Sequence, residues 1–329
     1  MVMNTITKRL VLFLAALAFV LASSAAVGAA IGSGILHPYR KPMTTGDIAT
    51  ADRAFAEVHA TRADFEVSAS DGAKLRGWKV RAENPNGDWV LILHGVGDNR
   101  CSQTGYARFM LARGYGVVMM DSRAQGESEG AMASFGWMER NDARLIDDAI
   151  LAAEPVRHLF YFGESMGGAI ALQAAAVDVR IAGVVAEDPF SNLREVTYDY
   201  AGLQFSPLLG KTLFRPATIM ALSQVEKECG FKATDVSPED AVAARPFPIL
   251  LICGTEDHKI PCRHARRIFR HAIGPKELWV VNGAGHTMAY GVAHEEFETR
   301  VLGFFASVAP SDVRNSVNPG GSDSKNPEN

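Results

Sequence analysis

The feature that most restricts how this chain can fold is a series of short apolar runs, at residues 89–93, 116–120, 159–162, 181–186, 249–253 and 278–281. Each is too short for a buried helix and lacks the polar–apolar alternation of a strand with one wet face. Helical spacing fills the intervals, near residues 106–112, 140–153, 165–176, 262–272 and 293–308. In the second of these, Leu145, Ala149, Ile150 and Ala153 recur on one side. Apolar strands alternating with helices predict an α/β fold, with a mostly parallel central sheet covered by helices on both faces. Ahead of it, residues 64–68 and 75–80 do alternate, and with the turn residues Asp71 and Gly72 between them they predict an antiparallel hairpin.

The alternation is interrupted once. Residues 189–245 carry Leu203, Phe205, Leu208, Leu209, Leu213, Phe214, Ile219, Met220 and Leu222, broken by Pro207 and Pro216, with no strand signal. That predicts a small helical cap over one end of the sheet, a pair of crossover helices being the alternative. Leu203, Phe205, Leu213, Phe214 and Met220 are candidates for an acyl pocket, although such residues are more often simply packed. The expected domain spans residues 61–309, after a connector at 34–60. The polar tail at 310–329, rich in Gly, Pro, Ser and Asn, is expected to be disordered.

The amino terminus has its own pattern. Lys8 and Arg9 precede a strongly apolar run at residues 10–21, and small residues follow at 22–26. This is the layout of a secretory signal. The apolar character continues to Ile31, so residues 10–31 also approach the length of an uncleaved membrane anchor. On either reading residues 1–33 precede the domain, Lys8 and Arg9 stay in the cytoplasm, and the chain beyond Ser33 is exported.

Hydrophobic residues make up 47% and charged residues 21% of the 329, enough for a large packed core. A net charge of −4 offers no basic patch and excludes nucleic acid as an expected partner. The four cysteines, Cys101, Cys229, Cys253 and Cys262, have no metal or redox spacing. Cys253, at the end of an apolar run, reads as a small buried hydrophobe, and disulfide pairing stays open.

The chemistry gathers at the ends of these runs. Phe162-Gly163-Glu164-Ser165-Met166-Gly167 is a Gly-x-Ser-x-Gly between a strand and a helix, the setting of a nucleophile elbow. The glycines leave room for a strained turn that lifts Ser165 Oγ above the sheet, and the helix start supplies N–H groups suited to an oxyanion. Asp257 follows the run at 249–253, and His286 follows the run at 278–281 in the loop Asn282-Gly283-Ala284-Gly285. Carboxyl ends of parallel strands are where such sheets bind ligands. The order Ser165, Asp257, His286 is that of a nucleophile, an acid and a base. Glu256, His258 and Asp188 are neighbouring alternatives, and Asp257 has a competing reading as a local turn residue. His258 and His271 read as surface residues. The N–H groups of Met166 and Val96 are the candidate oxyanion donors. His94, beside Gly95, reads as a brace for that loop rather than a base.

These motifs resemble those of the α/β-hydrolase superfamily over residues 60–308. The correspondence runs through His94-Gly95, Asp121-Ser122-Arg123-Ala124-Gln125-Gly126-Glu127-Ser128, Gly163-Glu164-Ser165-Met166-Gly167, residues 254–261 and Gly285-His286. Ala124 stands where a glycine is usual. The chain looks closest to the exported or membrane-anchored, serine aminopeptidase-like branch. The resemblance implies the α/β-hydrolase fold, a Ser165–His286–Asp257 triad acting through an acyl-enzyme, and no metal or organic cofactor. The expected substrate is a small-molecule carboxylic ester. An aminopeptidase or amidase on the same residues is the first alternative, and a non-catalytic envelope binding domain the second. Oligomeric state is not legible.

Overall fold

The computed structural model describes residues 5–201, 206–212 and 214–309, the side chains of residues 5, 17, 20, 21, 25, 29 and 207 excepted. The strands are β1 (Thr61–Ser68), β2 (Lys74–Arg81), β3 (Asp88–Leu93), β4 (Gly116–Met120), β5 (His158–Glu164), β6 (Ile181–Glu187), β7 (Ile249–Gly254) and β8 (Lys276–Val281). The helices before β6 are α1 (Thr5–Leu36), α2 (Thr45–Ala56), α3 (Thr104–Leu111), α4 (Glu139–Ala153) and α5 (Met166–Val177). After it come α6 (Leu193–Ala201), α7 (Pro207–Lys211), α8 (Arg215–Cys229), α9 (Pro238–Ala244), α10 (Arg263–His271), α11 (Ala289–Val292) and α12 (His294–Val308).

The eight strands form one sheet in the order β1-β2-β4-β3-β5-β6-β7-β8. β2 runs antiparallel to β1 and β4, and the strands from β4 to β8 are parallel. The period of two explains the unbroken apolar runs. Leu91, Leu93, Val118 and Met120 turn to one layer of side chains, whereas Val90, Ile92, Val117 and Met119 turn to the other. Both faces are therefore buried. α5 is so enclosed that Ala169, Ile170, Ala171, Leu172, Ala174 and Ala175 have no exposed surface. Truncating a side chain such as Leu91, fully buried, would cost about 2–5 kcal/mol.

Three expectations change. The connector at 34–60 contains α2, opened by a capping box between Thr44 and Asp47, and Phe55 of that helix packs edge-on against Trp78. Cys253 is bonded to Cys262, the start of α10 having brought the two Cα atoms to 5.3 Å. The bond encloses the loop that carries Asp257.

The third change concerns the amino terminus. Residues 10–31 lie within α1, but among the described residues no helix is long and apolar enough to cross a membrane, so a span there is not supported. The later part of α1 packs against α8 instead. A Cβ on Gly32 would stand 2.5 Å from the Ala221 carbonyl oxygen, and one on Gly28 would collide with that of Ala217. From Gly28 onward one face of the helix packs against α8.

Among the described residues between β6 and β7 there is no strand, and the α-helices there are α6, α7, α8 and α9. α6, α7 and α8 pack on one another, whereas α9 packs on α5 and α10. Leu203, Phe205 and Leu213 fall outside the described residues, as does the tail at 310–329.

Candidate active site

β5 ends at Glu164, α5 begins at Met166, and Ser165 turns between them at φ 53° and ψ −118°. A non-glycine residue holds such angles only when its surroundings enforce them. Here they do. The Ser165 N–H donates to the Glu187 carbonyl at 2.8 Å, and its carbonyl accepts from Ala169 N–H at 3.1 Å. Gly167 lies against the end of β3, where a Cβ would be 2.7 Å from His94 O and would overlap Leu93 O. A Cβ on Gly163 would overlap the Gly167 carbonyl. Both glycines are steric requirements of the turn.

The structure brings the three candidates together. His286 Nε2 lies 2.9 Å from Ser165 Oγ, and His286 Nδ1 lies 2.7 Å from Asp257 Oδ2. The other Asp257 oxygen accepts from the N–H groups of Lys259 at 2.8 Å and Ile260 at 2.9 Å. The turn reading of Asp257 and the reading as partner of His286 are thus both satisfied, one by each oxygen. The carboxylate can only accept, so Nδ1 carries the proton and Nε2 faces Ser165 with its lone pair. That tautomer can take a proton from Oγ.

The alternatives take other roles. Glu256 and His258 are exposed. Asp188, at φ 47°, accepts from Thr287 N–H at 2.8 Å and Gly254 N–H at 3.2 Å. It therefore braces the loops that carry His286 and Asp257. Burial, and then the charge of Asp257, push its carboxyl up to about 7. Asp188, Asp257 and His286 place ligand-type atoms within 4.8 Å of one another, the one such group among the described residues. Those atoms are already engaged in the bonds just given.

Met166 opens α5, so its N–H has no carbonyl one turn back to bond. Val96 lines the same cavity as Met166. Gln125, from the Asp-x-Arg loop, spans from the residue after Val96 to Met166: it accepts from Gly97 N–H at 2.5 Å and points its amide at Met166 Sδ at 3.6 Å. His94 is fully buried, bonds Gly95 O through Nδ1 at 2.7 Å and accepts from Ser122 N–H at 3.0 Å, which makes it a brace. Ala124 does adopt the left-handed conformation, φ 59°, that a glycine would enter freely.

Sequence reasoning missed two buried polar clusters. Below the elbow, Tyr106 Oη reaches Glu164 at 3.2 Å and Glu187 at 3.1 Å, and Gln103 donates to Glu164 at 2.8 Å. Burial raises both carboxyls, that of Glu187 well above its ordinary value. The second cluster mimics a triad. His264 Nδ1 lies 2.9 Å from Ser191 Oγ and Nε2 2.6 Å from Asp199. However, Nδ1 already accepts from Ser191 N–H at 3.1 Å, and Ser191 is fully buried, so the cluster ties α6 to α10. Glu164 and Glu187 follow closely on apolar runs and Asp199 lies between two tyrosines, the one signal that could have exposed them.

Above Ser165 opens a cavity of about 510 Å³, with Met166, Val96, Phe135, Phe190 and Ile260 near its floor and Phe214 from the cap on its wall. Met220 does not line it.

Known proteins are similar to this chain. The family described as Serine aminopeptidase, S33, matches residues 84–233. The uncharacterized protein YfhR of Escherichia coli K12 is 25% identical over 256 residues, 74% of this chain and 80% of its own. The uncharacterized protein Rv2307c of Mycobacterium tuberculosis is 28% identical over 229 residues, 68% of this chain and 72% of its own. Among solved structures, the esterase Pf2001 of Pyrococcus furiosus superposes with a TM-score of 0.66 at 21% identity, over 83% of this chain and 100% of that one. The acylaminoacyl peptidase of Pyrococcus horikoshii gives 0.58 at 16%, over 76% of this chain and 42% of that one. At such identity the superpositions speak for the fold alone. The fold is that of the α/β-hydrolases, and over residues 84–233 the chain is similar to the serine aminopeptidase family.

Proposed function

We propose that the protein hydrolyses small carboxylic esters through an acyl-enzyme on Ser165. The observation that carries this reading is the continuous chain from Ser165 Oγ through His286 to Asp257, at 2.9 and 2.7 Å, on an elbow held at positive φ. His286 takes the Oγ proton as Oγ bonds to the acyl carbon, and the carbonyl oxygen becomes an oxyanion facing the N–H groups of Met166 and Val96. Collapse of this intermediate breaks the bond to the alcohol, which leaves with the proton from His286. Water then gives a proton to the same nitrogen as it attacks the acyl carbon; collapse breaks the bond to Ser165 Oγ, which takes that proton back from His286 as the acid leaves. Asp257 keeps the proton on Nδ1 and stabilises the imidazolium between steps.

The serine aminopeptidase match favours a second reading, an amide or peptide substrate. Against it, no acidic side chain lines the cavity among the described residues, so nothing there would hold a peptide's ammonium group. Turnover of nitrophenyl esters measured beside aminoacyl nitroanilides, with Ser165→Ala as control, separates the two. Ester cleavage that Ser165→Ala abolishes supports the proposal, and preferential cleavage of the nitroanilides would replace it.

A further inference from the structure

The cavity over Ser165 is closed on one side by the amino-terminal helix. Val27, Ile31 and Ile35 of α1 line it together with Gly34 and, just beyond the helix, Pro38. Facing them are Ala217, Thr218 and Ala221 of α8. Small residues on both helices set the spacing: Gly28 and Gly32 of α1 lie on the Ala217 and Ala221 carbonyls so closely that neither glycine has room for a methyl group. The wall is also fastened at its end. Leu36 is fully buried and accepts from Ala133 N–H at 2.9 Å. Lys41 reaches Asp98, in the loop after Val96, at 2.8 Å, and Asn99 bonds the Lys41 carbonyl at 3.1 Å. The segment that an export signal would discard thus runs directly into a wall of the site.

We propose that α1 from Val27 onward is a specificity element, forming with α8 the channel that receives the aliphatic acyl chain of the ester. This rests on the reading of Ser165 as nucleophile and names the substrate class. The channel begins at Ser165 and Val96, where the scissile carbonyl must lie, and its walls leading away from them are hydrocarbon. A polar acyl group would lose its hydration there without gaining partners, since the hydroxyls of Thr197, Thr218 and Tyr200 are the polar side chains on that wall. A methylene chain gains about fourfold in affinity for each carbon it buries, until the channel is full. A cavity of about 510 Å³ is far larger than an acetyl group needs. The arrangement also assigns a consequence to processing. Cleavage within the small residues 22–26 would leave every lining residue in place, whereas a terminus at Ser33 would remove Val27 and Ile31.

The test uses the full chain and nitrophenyl alkylphosphonates with ethyl, butyl and octyl groups, which report on acylation of Ser165 without requiring turnover. In the wild type the rate of inactivation should rise with chain length. In Ile31→Trp, which fills the channel, the octyl-to-ethyl rate ratio should fall at least tenfold. Val27→Asp, which places a charge at the same wall, should lower the ratio likewise and guards against one variant failing to fold. A ratio that stays at the wild-type value in both folded variants, or a wild type indifferent to chain length, overturns the proposal while leaving the ester reading intact. Decanoate binding to Ser165→Ala, measured by calorimetry, works without the nucleophile. It should weaken at least tenfold when Ile31→Trp is added. If no phosphonate reacts at Ser165 but this binding behaves as stated, the ester reading falls and the channel stands. If the binding is unaffected, the channel falls.

Discussion

Replacing Asp257 by Asn tests the relay through a choice the side chain is forced to make. The carboxylate accepts on both oxygens, from Lys259 and Ile260 N–H on one and from His286 Nδ1 on the other. An amide has one accepting end. Turned toward His286, it would set its NH₂ against two backbone donors. Turned toward the backbone, it sets the NH₂ against one ring nitrogen that can change role. Each buried donor left unpaired costs about 1–3 kcal/mol, so two outweigh one and the amide oxygen stays on the backbone. His286 Nδ1 must then accept, and its proton moves to Nε2, where it faces Ser165 Oγ and blocks proton removal. A wrong tautomer of this kind lowers kcat by about 10⁴-fold, or about 5.5 kcal/mol of activation. The assay is steady-state hydrolysis of a nitrophenyl ester, with a thermal melt to show that Asp257→Asn folds. The backbone bonds survive the substitution, so the melt should move little beside the rate. A folded Asp257→Asn that loses less than tenfold would refute the reasoning. So would a folded Asp188→Asn that loses more than Asp257→Asn does.

Three further outcomes are expected. Gly167→Ala must push the elbow away from Leu93 and His94, which cannot yield by rotating a side chain; calorimetry should show about 3 kcal/mol or more of lost stability, and the displaced Val96 loop should cost about 100-fold in kcat. An unchanged melting temperature would contradict that. Glu187 is buried with its carboxyl raised well above 4.5, so its stabilising effect is present below the unfolded value of about 4.3 and is lost as pH rises through the folded value. Glu187→Gln removes that loss: its melting temperature should gain on the wild type as pH rises from about 5 to about 8, and a gap that shrinks would reverse the sign of the argument. We further propose, from Lys8, Arg9 and the apolar residues 10–21, that the catalytic domain is exported. Cell fractionation with sequencing of the amino terminus should find the protein outside the cytoplasmic soluble fraction, and intact protein within that fraction would end the proposal.

The strands were legible because burial on both faces leaves a strand no polar positions, and the run at 116–120 coincides with β4 from end to end. The elbow was legible for a related reason: Gly163 and Gly167 are sites where no Cβ fits, and that requirement is written in the residue type. Other features depend on distant contacts. Cys253 meets Cys262 only through the turn after β7. Gln125 accepts from Gly97 N–H, 28 residues away, and no local pattern marks it. α1 shows the limit most clearly. Its apolar composition reads as an export segment, whereas Gly28 and Gly32 acquire their meaning from Ala217 and Ala221, residues of a helix far along the chain.

The central claim is that Ser165 is the nucleophile and is activated by His286. The most direct measurement is covalent labelling by a fluorophosphonate, read by intact mass and by peptide mapping. One adduct per chain is expected, on Ser165, absent from Ser165→Ala and formed far more slowly in His286→Ala. Labelling that persists in a folded Ser165→Ala, or an adduct mapped to another residue, would contradict it.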